Sequence, residues 1–132
     1  MTFQKDAASL LAGTGLAPGS QVPGLIGDEG DAAFTPASGS LPYHDLILSS
    51  AYIPGNYTPQ NRCSACGHYW QMTLYTAPSG GHVFDAGTLQ FAWGLDDEAW
   101  TQAQHRFSSA GFQNFVKKLL AELLQTPEAH AR

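Results

Sequence analysis

From Tyr69 to Thr76 the chain reads YWQMTLYT, large apolar side chains alternating with polar ones, the period of a strand with one buried face. Ala77 to Gly81 (APSGG) supplies turn chemistry and HVFDA returns as a strand, so the segment predicts a hairpin. Thr88 is placed to cap a short helix over LQFAW, which Gly94 would end by taking the left-handed conformation of a helix terminus. Asp96, Asp97 and Glu98 put negative charge where a helix N-terminus favours it, predicting a helix from about Asp97 to Phe107 that Ser108, Ser109 and Gly111 interrupt. The last element has the clearest amphipathic pattern, with Phe112, Phe115, Val116, Leu119, Leu120, Leu123 and Leu124 assigned to one face. Pro127 stops it, leaving 128–132 as a flexible tail. Such a helix has to dock on an apolar surface.

The first half is patterned less clearly. Gly13 to Gly30 holds six glycines and two prolines in 18 residues, leaving room for one short strand at about Gln21 to Ile26. GDEGD at Gly27 to Asp31 is a turn, and loop continues to Pro42. A second strand is expected from His44 to Ser50, at the head of an apolar run that ends at Pro54. The polar loop Gly55 to Gly67 carries both cysteines, and there is no internal repeat.

Composition narrows this picture. A chain of 132 residues buries one core and not two, so one domain spanning 1–132, or part of one, is expected. With 14 Gly and 8 Pro against 13% charged residues, turns take up much of the length, which excludes a helical bundle. The net charge of -5 and the lack of a Lys/Arg run exclude nucleic acid and anionic membrane as partners. No apolar stretch approaches the roughly 20 residues of a membrane span. MTFQKDAASLLAG has no secretory h-region, so a cytoplasmic location is expected. The residues alone give an α/β or α+β module, a small sheet whose C-terminal hairpin, about 69–87, is covered by C-terminal amphipathic helices.

Cys63 and Cys66 form a C-x-x-C pair with His68 two residues on, half of a zinc site that His44 or His82 would have to complete through the fold. Two unpaired thiols, or a local disulfide, explain the same spacing. Asp28, Glu29 and Asp31 could offer oxygen ligands but lack the spacing of a calcium loop, so a solvated turn accounts for them. Ser79 sits in PSGG, not G-x-S-x-G, and reads as a turn serine. Asn56-Tyr57-Thr58 is a glycosylation sequon that matters only in a secreted context. Tyr75, Phe84, Phe91, Trp93 and Trp100 are assigned to the core by strand alternation and helical spacing.

Two blocks carry a resemblance. Met72 to Gly80, followed by Val83-Phe84, Ala86-Gly87-Thr88, Gln90 and Trp93-Gly94-Leu95-Asp96, resembles the closing motif of N,N-dimethylformamidase large (beta) subunit-like proteins. Ala12 to Leu16, Gly19, Pro23 to Gly27, Glu29 and Asp31 resemble the segment just upstream of it. The resemblance implies an amidohydrolase acting on small N-substituted amides. It also implies iron held by tyrosine and carboxylate ligands in a glutamine-amidotransferase-like domain, with those ligands upstream of residue 1. No residue here matches them, so no catalytic residue is carried over. The leading expectation is a structural C-terminal portion that pairs with the upstream part of its own polypeptide or with another copy of the chain. The rival is an autonomous small binding module whose Cys63, Cys66 and His68 hold zinc and order the loop over 55–68.

Overall fold

In the computed structural model, the residues described are 1–26, 30–33, 45–54, 67–97 and 107–125. Four strands form one sheet in chain order: β1 (Thr2–Phe3), β2 (Leu46–Ile53), β3 (His68–Thr76) and β4 (His82–Asp85). Every pairing is antiparallel, so the described sheet belongs to the α+β alternative. Two helices accompany it, the single turn α1 (Ala8–Leu11) and the longer α2 (Ala110–Leu123).

The predicted hairpin is present. Thr73 pairs with Asp85 and Thr76 with His82, and the turn closes through hydrogen bonds between Ala77 and Gly81 and from Gly80 N–H to the Ala77 carbonyl, both 2.8 Å. Gly80, at φ +85°, supplies the left-handed residue that the turn needs. Across β2 and β3 a bulge at Leu48 separates the pair Ile47–Thr73 from the pair Ser49–Met72. The bulge brings Leu48 and Ser49 both into the interior.

Alternation then sorts the side chains. Met72 and Leu74 of β3 face inward with Phe84 of β4 and Phe3 of β1, and α2 lays Phe112, Phe115, Val116 and Leu119 over them. A run of rings joins the layers: Phe84 to Phe91 at 5.6 Å, Phe91 to Phe112 at 5.1 Å, Phe112 to Phe115 at 5.9 Å and Phe115 to Phe3 at 4.8 Å. The Phe91–Phe112 and Phe115–Phe3 contacts are edge-to-face, an arrangement that adds about 0.5–1.5 kcal/mol each beyond the area buried. Ser109 caps α2, its Oγ accepting from Phe112 N–H at 3.2 Å, so one of the residues expected to interrupt a helix begins one. Lys118 Nζ donates to the Ala12 carbonyl and Gln113 Nε2 to the Leu95 carbonyl, tying α2 to the N-terminal turn and to the segment after the hairpin.

Several expectations are corrected. The chain opens with β1 and a 3-10 turn at Lys5–Ala7, where no element was expected, because two residues that pair with Ser49 and Ser50 leave no local pattern. No strand runs from Gln21 to Ile26; Gln21 makes one bridge to Thr2, and Gly24 at φ +75° turns the chain away. The second strand begins at Leu46 and reaches Ile53. Leu89–Gly94 is a 3-10 helix capped by Thr88, whose Oγ1 accepts from Gln90 N–H at 3.2 Å. Gly94 lies inside that helix and does not end it in a left-handed residue; it is needed because a Cβ there would overlap the Phe112 ring. On α2, Leu123 is half-buried, whereas Leu120 and Leu124 are 52% and 81% exposed and leave the predicted face. The helix expected from Asp97 to Phe107, Trp100 and the tail 128–132 fall wholly or largely outside the described residues.

Candidate functional site

The side of the sheet away from α2 carries a different population. Register places Ile47, Ser50 and Tyr52 of β2 outward, with Tyr69, Gln71, Thr73 and Tyr75 of β3 and Val83 and Asp85 of β4. Tyr52 and Tyr69, directly opposed across the strands, pack at 5.2 Å between ring centroids with their planes tilted by 56°, and remain 57% and 55% exposed. Assigning Tyr75 to the core is thereby corrected: its position shares the outward face.

Beside the tyrosine pair lies a cleft of about 260 Å³ lined by Gln4, Lys5 and Asp6 from the N-terminal turn, Ile47 and Ser50 from β2, and Tyr69 and Gln71 from β3. Asp6 Oδ2 accepts from Ile47 N–H at 3.4 Å, which fixes the turn on the edge of the sheet. Gln71 is held twice: its N–H donates to the Asp31 carbonyl at 2.8 Å, and its Oε1 accepts from Ala33 N–H at 3.0 Å. Asp31 N–H in turn donates to the Gly87 carbonyl, so residues 31–33 continue the ladder where β4 stops. Gly87, at φ +66°, allows this approach, since a Cβ there would overlap the Gln71 carbonyl. The cleft offers one ammonium, one carboxylate, two side-chain amides and the hydroxyls of Ser50 and Tyr69. Among the described residues no hydrogen bond joins Ser50 to a base that could activate it.

Most of the sequence-derived ligand candidates fall outside the described residues. Cys63, Cys66, His44, Asp28, Glu29 and the sequon Asn56 to Thr58 lie outside the described residues, and His68 opens β3. His82 Nδ1 lies 3.1 Å from Thr76 Oγ1 across the hairpin mouth. Among the described residues no group of three or more His, Cys, Asp or Glu side chains is placed to hold a metal ion. Ser79 sits at the exposed hairpin tip, as expected of a turn serine.

Sequence reading missed the outward face. Its signal was available in YWQMTLYT, where one parity is Tyr, Gln, Thr, Tyr and the other Trp, Met, Leu, so that both parities carry aromatic residues. The cleft left no such signal, because its residues come from three separated segments.

Fold and site together define an α+β module in which α2 covers one face of the sheet and the described residues leave the other open. A family model described as N,N-dimethylformamidase beta subunit-like, C-terminal, matches residues 1–106, and the chain belongs to that family. The match takes in all four strands and stops before α2. No curated protein and no solved structure matches the chain. Among the described residues no helix is long and apolar enough to cross a membrane.

Proposed function

We propose that this chain serves as a structural C-terminal portion of a dimethylformamidase-like amidohydrolase, completing a larger catalytic unit that cleaves small N-substituted amides. The family match over residues 1–106 is the observation that carries the reading, since the family is named for the C-terminal region of a beta subunit. Hydrolysing an unactivated amide takes a Lewis acid or nucleophile together with a general base in one pocket. In this reading those groups, including iron, come from the rest of the polypeptide, and the chain contributes a sheet closed on one side by α2. The ring-packed core supports a supporting role of this kind, because it holds α2 and the hairpin rigidly together.

Amine release from N,N-dimethylformamide tests it. The polypeptide purified from its own cells is expected to release dimethylamine, and the isolated 132-residue chain is not. Cleavage by the isolated chain would overturn the structural role. If neither preparation cleaved small N-substituted amides, amide hydrolysis would have to be abandoned.

A further inference from the structure

We infer that the open sheet face centred on Tyr52 and Tyr69 is the surface that seats this region on the remainder of its dimethylformamidase-like polypeptide. The inference rests on the reading above and assigns the contact to a place.

An antiparallel sheet with one solvated face ordinarily alternates apolar inward with polar or charged outward. Here the outward positions of β2, β3 and β4 include three tyrosines, Ile47 and Val83, and the only formal charge among these described positions is Asp85. The chain carries a net charge of -5, to which the described positions of this face contribute the one carboxylate of Asp85. Depletion of charge with enrichment of tyrosine distinguishes the centre of protein interfaces from ordinary surface. Tyrosine suits such a place because its ring is apolar and its hydroxyl still bonds a partner. Lys5 and Asp6 stand at the rim of the face, where charge belongs in an interface.

The occupant follows from three observations. First, the family match contains the whole open face yet ends before α2, the helix that closes the other side. The family is described as the C-terminal region of a beta subunit, so the rest of that subunit is the neighbour the match supplies for this face. Second, strand addition at the β1 edge is blocked. Residues 19–22 already occupy it, through Phe3 N–H to the Ser20 carbonyl, Gly19 N–H to the Phe3 carbonyl and Val22 N–H to the Met1 carbonyl. Third, a second copy would bring another net charge of -5 against the first. The surface that fits is neutral, apolar and supplied with acceptors for phenolic hydroxyls.

Acetylation of tyrosines by N-acetylimidazole, mapped by peptide mass spectrometry, tests the assignment without altering the chain. Tyr52 and Tyr69 are expected to react readily in the isolated chain, and about tenfold more slowly in the polypeptide purified from its own cells. Equal reaction in a longer polypeptide would overturn the face assignment while leaving the proposed function standing. A cell-made product of only 132 residues would overturn both. An isolated chain that is dimeric with both tyrosines protected would also overturn the inference, by giving the face to a second copy. A Tyr69→Lys variant adds a second reading. The isolated chain should keep its unfolding midpoint, because the side chain is exposed, while Tyr52 in the longer polypeptide should regain the reactivity it shows in the isolated chain. Continued protection of Tyr52 there would count against the face.

Discussion

At Gly87 the backbone sits at φ +66° and passes so close to β3 that a Cβ would overlap the Gln71 carbonyl. Both constraints act on the same residue, so Gly87→Ala is expected to destabilise the fold by about 1–3 kcal/mol, read as a lower urea midpoint with an unchanged slope. An unchanged midpoint would show that the chain at Gly87 does not pass against β3 as described. Ser49 gives the opposite expectation. Its side chain is fully buried between Phe3 and Met72, and its Oγ has no hydrogen-bond partner, a situation that costs about 1–3 kcal/mol. Ser49→Ala removes the stranded hydroxyl with little change of volume, so it should leave stability unchanged or raise it by up to about 1 kcal/mol. A clear loss would mean that Oγ is bonded in solution.

Among the elements, the hairpin and α2 were legible because their signals are local: alternation with a glycine turn for one, helical spacing for the other. The edges of that legibility are physical too. Leu120 and Leu124 fit the helical stripe but lie beyond the reach of the sheet, which takes Phe112, Phe115, Val116 and Leu119. Phe115→Ala is therefore expected to cost about 3–5 kcal/mol, and Leu124→Ala to stay within about 0.5 kcal/mol. Equal effects in thermal unfolding would contradict the packing described. Ser109→Ala should cost about 1 kcal/mol through the lost cap, with Ser109→Asp close to neutral. The two-residue β1, by contrast, could not be read from sequence, because it exists only through partners more than 40 positions away and through residues 19–22.

For the whole molecule, the motif from Met72 to Asp96 led to the family that the match over residues 1–106 establishes, while the face carrying Tyr52 and Tyr69, whose signal lay in the two parities of β3, stood out only once register had sorted them. The same segment explains both outcomes. Its inward parity builds a core that any small sheet needs, and its outward parity is dispensable for that core. The central claim is that the chain works as part of something larger. It is tested most directly by the length of the polypeptide that carries the β3–β4 hairpin in its own cells, measured by intact mass after capture with an antibody to that hairpin. The account predicts a polypeptide much longer than 132 residues that contains this sequence as its C-terminal region. A stable product of 132 residues alone would contradict it.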